Sequence, residues 1–377
     1  MDTRILIVGG GVAGLMTKNR LEALGYAPTL VEKADALRTS GTGILLGANV
    51  LRIFRECGLE EALLAKSQKL REIRSLDYLG EPIGGFDLAK IERDTSYATV
   101  AIHRHDLHEI LSNSVDQDTI KLGYQLTQIK YNGTTYSVSF ENGEEGEYDY
   151  IIGADGLYSQ VREELFGHIG LRDSHQGCWR FVIDIPKDID ITSSCEMWGD
   201  KKRVGIFPIG QGKVYCFLVV TCHGEEENMD LDMVLDTFKG FCGDWQSIAH
   251  DVASIKPELI YGKLADLDSI ILHKDRAILI GDAGHATTPN LGQGAAMGIE
   301  GAYLFGELLK EHSIDKAMEL YAQKRYNRVN NIRERSRMLG KIAHISSPFL
   351  QGVRNFVMRM TPSSIGQKQF ENTIIDW

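Results

Sequence analysis

A strand, a glycine-rich turn, a helix and a second strand follow one another at the start of the chain, and this order constrains the fold more than any other feature. Residues 5–8 (ILIV) form a continuous apolar run, which is typical of a strand buried on both faces of a parallel sheet. Residues 9–14 read G-x-G-x-x-G, and a helical pattern follows as far as Gly25, a residue suited to end a helix. A second apolar strand, residues 29–31, ends in Glu32.

The glycines of this turn have separate physical roles. Gly9 makes the tight turn, Gly11 lets a pyrophosphate approach the backbone, and Gly14 lets the helix pack close to the strand. The helix N-terminus offers free N–H groups and the positive end of its dipole to the phosphates. Glu32 can accept hydrogen bonds from a ribose hydroxyl. Glycine-rich turns also occur without a ligand, but the strand, helix, second strand and acid in register predict a dinucleotide site.

Two later apolar strands also end in acidic turns. Residues 150–154 lead into Asp155-Gly156, and Arg162 stands near the start of the helix predicted after it. Such a turn is usually structural when it stands alone. Residues 277–280 lead into Gly281-Asp282, and the loop 283–294 then enters a predicted helix over residues 295–309.

The remaining segments give a coarse outline of the second half of the molecule. We predict helices over residues 48–55 and 59–70, strands over 73–100, and a helix that Asp106 opens and Arg104 precedes. Residues 170–262 alternate like strands around one helix at about 231–245, which predicts a mostly antiparallel second domain. A helix over 314–342 is rich in arginine and is interpreted as having a solvated face, and a short amphipathic helix over 348–360 precedes a polar tail. The arginines in question are Arg325, Arg328, Arg333, Arg335 and Arg337.

Composition excludes several classes of protein. The net charge of −11 argues against nucleic-acid binding, and no segment approaches eighteen consecutive apolar residues, which argues against a membrane span. The six cysteines form no C-x-x-C pair and no metal-ligand spacing, so we expect reduced core thiols and no metal site. These features favour a cytoplasmic enzyme.

The order of the three signatures, together with the stretch GDAGHATTPNLGQGAAMGIEGA, resembles the single-component flavoprotein aromatic hydroxylases, the para-hydroxybenzoate hydroxylase-like family. The resemblance covers nearly the whole chain and is greatest to short members such as salicylate, urate and 3-hydroxybenzoate hydroxylases. It implies an α/β fold in which a Rossmann-like, GR2-type FAD-binding domain is interleaved with a mostly antiparallel substrate domain and followed by a C-terminal helical segment. The expected division is 1–72, 101–169 and 266–340 for FAD binding, 73–100 and 170–265 for the substrate domain, and 341–377 for the helical segment.

The resemblance also implies roles for matching residues. Gly9, Gly11, Gly14 and Glu32 would hold the ADP half of a non-covalent FAD, and Arg104 would reach the pyrophosphate and ribityl region. Asp282 would bind the ribityl hydroxyls, and residues 292–295 would approach the isoalloxazine at a helix N-terminus, where the dipole stabilises negative charge. The complete expected cofactor set is Gly9, Gly11, Val12, Ala13, Gly14, Glu32, Lys33, Arg38, Gly43, Arg104, Leu126, Asp155, Asp282, Pro289, Gly292, Gln293, Gly294 and Ala295. The segment around Gly41-x-Gly43 matches the family only loosely.

The chemistry that the resemblance implies belongs to the flavin. NAD(P)H reduces FAD, O₂ adds at the flavin C4a, and the hydroperoxide transfers an oxygen atom to a small aromatic or planar heterocyclic substrate. The motif at Asp155, Gly156 and Arg162 is associated in the family with both FAD and pyridine nucleotide, and the absence of a second G-x-G-x-x-G implies transient NAD(P)H binding. No nucleophile–base pair is expected, and His285 is expected to hold loop geometry more than to handle protons. A monomer and a homodimer both remain possible.

Substrate contacts are expected on the strands of the second domain. Arg203, Gly205 and Phe207 share one strand face by period two, and Tyr215 and Phe217 could lie on the neighbouring strand. The predicted substrate residues are Arg203, Phe207, Tyr215 and Pro289. Arg203 could anchor an anionic group on the substrate, or it could be a surface residue of the basic cluster at 201–203.

Two other functions stay open for a protein with these motifs. One is an FAD-dependent dehydrogenase or reductase; a halogenase is disfavoured because Trp179-Arg180-Phe181 does not match W-x-W-x-I-P. The other is a flavin-bound protein that sequesters an intermediate without oxidising it. Hydroxylated product formed with substrate-stimulated NAD(P)H consumption distinguishes the monooxygenase from both.

Overall fold

A computed structural model describes residues 3–37 and 41–375 of the chain. It divides into two compact units, each of which is assembled from three separate segments of the chain. Unit 1 comprises Met1–Thr39, Leu107–Arg172 and Ala265–Arg335, and unit 2 comprises Ser40–Asp106, Asp173–Leu264 and Ser336–Trp377. The finer six-part division expected from sequence stays a prediction.

The strands range in length from two residues to fourteen. They are β1 (Ile5–Val8), β2 (Thr29–Glu32), β3 (Gly43–Leu46), β4 (Gln68–Leu70), β5 (Glu72–Asp77), β6 (Pro82–Asp87), β7 (Thr99–His103), β8 (Ile120–Leu122), β9 (Leu126–Tyr131), β10 (Tyr136–Phe140), β11 (Glu145–Tyr148), β12 (Tyr150–Gly153), β13 (Leu171–Asp184), β14 (Ser193–Trp198), β15 (Lys202–Gly210), β16 (Lys213–Thr221), β17 (Ile260–Leu267), β18 (His273–Lys274) and β19 (Ala277–Leu279).

The α-helices range from a single turn to thirty residues. They are α1 (Val12–Glu22), α2 (Ala48–Glu56), α3 (Glu60–Lys66), α4 (Leu88–Thr95), α5 (Arg104–Ser112), α6 (Leu231–Phe238), α7 (Asp244–Ile255), α8 (Asp282–His285), α9 (Gly294–Leu309), α10 (Ile314–Ala343), α11 (Pro348–Met360) and α12 (Ser363–Ile374). A π-helical turn (Arg162–Phe166) and two 3-10 turns (Glu226–Asn228 and Pro289–Leu291) complete the helical segments of the described residues.

The sheet of unit 1 has the order β18-β19-β12-β1-β2-β8 over the described residues. Strand β1 pairs in parallel with β12 on one side and β2 on the other. Leu6 and Ile7 point to opposite faces of the sheet and both are fully buried, so both faces are covered. Because parallel strands end at the same edge of a sheet, the residues after β1, β2, β12 and β19 lie at one edge. That edge carries the glycine-rich turn, Glu32, Asp155 and Asp282, so the three sequence signatures meet there.

Close backbone packing holds this edge together. A Cβ placed on Gly281 would lie 2.8 Å from Ala13 Cβ, and one placed on Gly298 would lie 3.2 Å from the same atom. Helix α1 therefore approaches the loop after β19 and helix α9 more closely than larger residues would allow. Short antiparallel strands β9, β10 and β11 form a separate three-stranded sheet, with turns at Gly133 and Gly143 that both have positive φ.

Unit 2 contains a seven-stranded sheet whose two faces differ. The order is β17-β13-β16-β15-β14-β5-β6, antiparallel throughout its described pairings except for β14 with β5. One face packs against α6 and α7 in an apolar core that includes Trp179, Phe238 and Trp245. The opposite face carries Arg180, Phe217 and the other residues predicted from the strand period. This sheet confirms the mostly antiparallel second domain.

Several local predictions were wrong for identifiable reasons. The predicted helix over 59–70 ends at Lys66 and continues as strand β4, and the tract 73–100 contains helix α4, whose N-cap Asp87 accepts a hydrogen bond from Lys90 N–H. The single helix over 231–245 is two helices, since Gly243 has φ of +63° between them. The segment predicted as a polar tail contains helix α12, in which Phe370 stacks on Phe86.

The arginine-rich run of α10 was also misinterpreted as a solvated face. Arg325 is 1% exposed, and its guanidinium lies 2.9 Å from the fully buried Glu300 carboxylate. Arg328 pairs with the same carboxylate at 2.8 Å, and Arg333 donates to the Leu267 carbonyl. The buried Glu300 on α9 thus pairs with Arg325 and Arg328, because an unpaired charge in the interior would be strongly unfavourable.

The cysteines agree with the expectation of reduced thiols. Within the described part of the chain none of the six forms a disulfide, and Cys178, Cys195 and Cys216 are buried among apolar residues, where burial raises the pKa of each thiol. None of the helices that the structure describes has both the length and the apolar composition to cross a membrane.

Candidate functional site

The glycine-rich turn of unit 1 is shaped by contacts that only glycine permits. Gly9 has φ of +108°, and a Cβ there would lie 2.5 Å from the Ala154 carbonyl oxygen. A Cβ on Gly14 would lie 1.9 Å from the Gly9 carbonyl oxygen. Gly11 differs, because a Cβ there would meet no described atom within 4 Å. The backbone at Gly11 is therefore open to a ligand while its neighbours hold the turn.

Helix α1 presents its N-terminus beside this open position. Gly11 is the N-cap and supplies no side-chain cap, and Val12 and Ala13 are the first helical residues. Their N–H groups are among those that lack a partner within the helix, and the helix dipole adds partial positive charge. A diphosphate group suits such a site. His108 on α5 stabilises the turn, since its Nε2 lies within hydrogen-bond distance, 2.6 Å, of the Gly10 carbonyl oxygen.

Glu32 lies directly over the same turn. Its Oε2 accepts a hydrogen bond from Gly10 N–H at 2.7 Å, and its Oε1 accepts one from Ala34 N–H at 3.1 Å. The side chain is half-buried, and a carboxylate has lone pairs for further donors, so it can still accept from ribose hydroxyls. The neighbouring Lys33 is exposed, and Arg38 lies outside the described residues.

Asp155 shapes its own turn. It accepts hydrogen bonds from Ser159 Oγ at 2.6 Å, Gln160 N–H at 2.7 Å and Val161 N–H at 3.1 Å. Burial raises the pKa of Asp155, and these hydrogen bonds oppose that rise. The carboxylate is thus engaged within its own loop, and any part it has in cofactor binding would come through the position of the turn.

Arg162 links the second signature to the third. Its Nη1 donates to the Ala283 carbonyl at 2.8 Å and its Nη2 donates to the Leu157 carbonyl at 2.8 Å, while the side chain is buried. A guanidinium that bridges two loop carbonyls keeps both loops at fixed separation. Sequence spacing alone offered no means of assigning it this role.

The loop after β19 brings Asp282 to the start of α9. Asp282 is exposed at the first position of α8, and a Cβ on Gly294 would lie 3.9 Å from its Oδ1. Gly292 has φ of +63° and ends the 3-10 turn that begins with the exposed Pro289. Gly294 and Ala295 are the first helical residues of α9. This arrangement places a carboxylate and a set of N-terminal N–H groups side by side.

Gln293 provides the sharpest sign that this edge accommodates a polar ligand. Its side chain is 1% exposed, yet neither amide atom has a hydrogen-bond partner among the described residues. Thr287 Oγ1 in the same loop is likewise buried without one in that part of the chain. Each unsatisfied buried polar group costs about 1–3 kcal/mol. The pyrimidine edge of a flavin carries N–H and C=O groups that would satisfy them, so the residues present fit FAD.

His285 cannot change charge near neutral pH. The ring is fully buried, and burial, with a smaller contribution from Arg325, lowers the pKa of His285 to about 3. A neutral ring in this position agrees with the expectation that it maintains loop geometry. Leu126 was predicted to bind cofactor, but its side chain lies in the apolar core with Ile129 and Tyr136. Only its backbone could contact a ligand.

Arg104 and Gly43 belong to unit 2. Arg104 is the first residue of α5 and does not precede the helix as predicted; it is exposed, and its N–H donates to the Thr42 carbonyl at 2.8 Å. Gly43 lies beneath Tyr215, since a Cβ there would be 2.6 Å from Tyr215 Cγ. The loosely matching glycine segment therefore packs against a predicted substrate residue.

The face of β15 and β16 has the arrangement predicted from the strand period. Phe207 is opposite Tyr215 and Gly205 is opposite Phe217. The Phe217 ring centroid lies 5.7 Å from that of Phe207 and 6.0 Å from that of Tyr215. Three aromatic rings thus form a continuous surface on the sheet face that α6 and α7 do not cover.

Arg203 lies on the same face, but it is not a surface residue. It is 2% exposed, its Nη1 donates to Glu196 Oε1 at 3.0 Å, and its Nε donates to His344 Nε2 at 3.0 Å. The alternative of an exposed basic cluster is therefore wrong. Its charge is balanced by Glu196, and its role as a substrate anchor stays a prediction.

Arg180 is a candidate that sequence reasoning missed. It is opposite Phe217 on β13, its guanidinium lies beside the Tyr215 hydroxyl, and a Cβ on Gly262 would lie 3.5 Å from its Nη1. Burial raises the pKa of Tyr215, so the hydroxyl stays protonated as a donor. The signal in the sequence was a single cation inside the apolar strand around Trp179 and Phe181.

Comparison with known proteins identifies the family of the chain. The sequence profile of a family described as "FAD binding domain" matches residues 2–336. The chain belongs to this FAD-binding family. It is accordingly a flavoprotein monooxygenase with FAD as its cofactor, as the sequence resemblance implied, and the fold class is confirmed.

Two curated proteins are similar to the chain in sequence, and one solved structure is similar to it in fold. Aurachin C monooxygenase/isomerase of Stigmatella aurantiaca is 30% identical over 365 residues, which cover 95% of this chain and 94% of that protein. The 2-heptyl-3-hydroxy-4(1H)-quinolone synthase of Pseudomonas aeruginosa is 29% identical over 364 residues, which cover 96% and 94%. Klebsiella pneumoniae HpxO, solved with FAD and uric acid, has the same fold, with a TM-score of 0.90 at 22% identity and coverage of 99% and 97%.

Proposed function

We propose that this FAD-binding-family protein is an NAD(P)H-consuming monooxygenase that hydroxylates a planar nitrogen heterocycle or a similar small aromatic ring. The observation that carries this proposal is the aromatic face of unit 2, formed by Phe207, Tyr215 and Phe217 and bordered by Arg180. Flat rings stack on such a face, and an arginine at its border suits a ring oxygen with negative charge.

The residues of unit 1 would hold FAD without a covalent bond. The N–H groups at Gly11, Val12 and Ala13 suit the pyrophosphate, Glu32 suits the adenosine ribose, and Asp282 suits the ribityl hydroxyls. Gln293, Gly294 and Ala295 suit the polar edge of the isoalloxazine. FAD, when bound, supplies the redox chemistry that moves electrons from a reduced pyridine nucleotide to O₂ and an oxygen atom to the substrate.

The protein's own part in the reaction is binding and orientation. The neutral His285 contributes no proton near pH 7, and Tyr215 and Arg180 can donate hydrogen bonds to an oxygen on the substrate ring. Donors at fixed positions select one orientation of a flat ring, and orientation controls which ring carbon reacts. The relatives' names support this substrate class, since one specifies a quinolone and the solved HpxO structure contains uric acid.

A screen of substrate-dependent turnover tests the proposal. The FAD-loaded protein is assayed for NADH and NADPH oxidation against 4-quinolones, hydroxypyridine carboxylates, purines and phenolic acids, with ¹⁸O₂ and mass spectrometry of the products. We expect one class to stimulate oxidation and to acquire a single ¹⁸O atom. Stimulated oxidation that yields a reduced ligand, with no oxygen incorporated and no H₂O₂ formed, would identify a reductase. Tight ligand binding with no oxidation would identify a sequestering protein.

The state of the flavin is tested in the same preparation. Acid precipitation should release the yellow chromophore into the supernatant, because no covalent bond holds it. Colour that stays with the precipitated chain would contradict non-covalent binding.

A further inference from the structure

Helix α11 of unit 2 presents large apolar side chains to solvent. Their spacing along the chain, counted from Phe349 to Met360, is one, three, three, one and three residues, and this spacing places them on one side of the helix. Phe349 is 76% exposed, Phe356 63% and Met360 67%. The complete apolar face is Phe349, Leu350, Val353, Phe356, Val357 and Met360. Contiguous apolar surface of this kind marks an interaction site.

The opposite side of α11 fixes the helix in this orientation. Arg354 is buried, its Nη1 donates to the carbonyls of Ile342 at 3.3 Å and Ala343 at 3.2 Å, and its guanidinium lies 5.3 Å from the Trp198 ring centroid. Met358 packs on the small cluster that contains Trp198. The helix thus buries Arg354 and exposes both of its phenylalanines, which is the reverse of an ordinary surface helix.

The charge around this helix is also unusual for the chain. Residues 335–370 contain six lysines and arginines and no aspartate or glutamate, although the whole protein has a net charge of −11. Lys341, Arg359 and Lys368 are exposed. Acidic groups that face the helix from other elements are Asp77, which pairs with Arg359 at 3.1 Å, and Asp200, which Gln351 contacts at 3.5 Å.

We propose that α11 docks the protein on an anionic lipid surface, with its apolar face in the boundary between headgroups and acyl chains. A helix that exposes an apolar face with phenylalanines binds such surfaces, and the exposed cations nearby, Lys341 on α10 and Lys368 on α12, add attraction to anionic headgroups. A second copy of the chain suits the face less well, because pairing two α11 helices would oppose two basic segments. The docking is peripheral and does not depend on the proposed reaction.

Vesicle flotation of the FAD-loaded protein tests the docking. Vesicles of phosphatidylcholine alone are compared with vesicles that also contain phosphatidylglycerol, at low and at high salt. We expect the protein to float with the anionic vesicles and to be released by salt, because salt screens the attraction between lysines and headgroups.

Matched variants identify the surface responsible. The double variant Phe349→Ser/Phe356→Ser should lower vesicle partitioning about tenfold or more, since two large rings no longer leave water. The control Met233→Ser/Ile255→Ser changes two apolar residues of unit 2 that are 51% and 56% exposed on other helices, and it should partition like the wild type. Lys341→Gln/Lys368→Gln should weaken the salt-sensitive part of binding. Unchanged FAD content and melting temperature verify that each variant is folded.

Three outcomes would overturn the proposal. The wild type could fail to float with anionic vesicles, or the control could lose binding as strongly as the phenylalanine variant. Light scattering could instead show a dimer that Phe349→Ser/Phe356→Ser converts to a monomer, with no vesicle binding; a second copy would then cover this face.

Discussion

The outer end of the Phe217 ring lies over Gly205 on the neighbouring strand, so closely that a Cβ on Gly205 would be 2.0 Å from Phe217 Cζ. The absence of a side chain at Gly205 thus lets the Phe217 ring, the central ring of the aromatic face, lie close to the backbone of β15. Phe207 and Tyr215 flank that ring, so a displacement of Phe217 would disturb the whole surface.

Gly205→Ala should therefore impair both packing and substrate binding. The added methyl group must displace Phe217, at a cost of about 1–3 kcal/mol in the free energy of unfolding. Urea unfolding measures the loss, and titration with the identified substrate measures the affinity. Gly240→Ala is the matched control, because a Cβ at Gly240 meets no described atom within 4 Å. Equal stability of the two variants would show that the ring has room to move.

Asp282→Ala should weaken FAD binding. The carboxylate stands beside the N-terminus of α9, and removal of an acceptor for ribityl hydroxyls costs roughly 1.5–3 kcal/mol, or about tenfold or more in affinity. Flavin fluorescence during titration of the apoprotein measures it. Asp232→Ala, at an exposed position on α6 in unit 2, should keep wild-type affinity. If Asp282→Ala also keeps it, Asp282 is a turn residue only.

Arg203 and Arg180 should differ in what their loss impairs. Arg203→Ala leaves the largely buried Glu196 carboxylate without its cation and should lower the free energy of unfolding by about 3 kcal/mol. Lysine should replace it poorly, because Arg203 contacts both Glu196 and His344.

Arg180→Ala should raise KM and increase H₂O₂ release per NAD(P)H oxidised while FAD content is unchanged, because a poorly held ring is hydroxylated less often.

The opposite effects of the two variants would assign the substrate contact to Arg203. In that case Arg203→Ala would be stable but would have a high KM, and Arg180→Ala would behave like the wild type. Thermal melting and steady-state kinetics on both variants distinguish the two assignments.

The free energy of unfolding should fall as the solution is acidified below about pH 6.5. Burial lowers the pKa of His285 to about 3 and that of His344 to about 2, so the folded protein keeps both rings neutral while the unfolded chain takes up protons near pH 6.5. Between about pH 6.5 and the pKa of the folded protein, each ring should lower the free energy of unfolding by about 1.4 kcal/mol for every pH unit of acidification.

Urea unfolding at several pH values between 7 and about 5 measures this slope. His344→Gln should remove one ring's share of it, whereas the exposed His250→Gln should leave it unchanged. A wild-type slope that His344→Gln does not reduce would mean that His344 is protonated in the folded protein.

Features that depend on neighbouring residues in the chain could be predicted before the structure was known. The bounds of β1 and α11 agree with the apolar and helical periods, and the face shared by Gly205, Phe207 and Tyr215 follows from the two-residue period of a strand. Helix α4 also had a local signal, the capping Asp87, which was overlooked within a tract interpreted as strands.

The predictions that failed concern charged residues whose partners lie far away in the chain. Arg325 and Arg328 resemble a solvated face until Glu300 is found buried between them, and Arg203 resembles a surface cation until Glu196 and His344 are found beside it. Arg180 was missed in the same way, since its position beside Tyr215 depends on the pairing of β13 with β16.

The amino-acid sequence by itself determined the glycine-rich turn at the edge of the unit 1 sheet, because Gly14 packs directly on the Gly9 carbonyl and this steric limit acts over a few residues. Only the tertiary structure decided which cations are buried and which apolar side chains remain exposed. Burial is a property of the packed chain: Arg354 is enclosed and Phe356 is in solvent, although they are two residues apart on one helix.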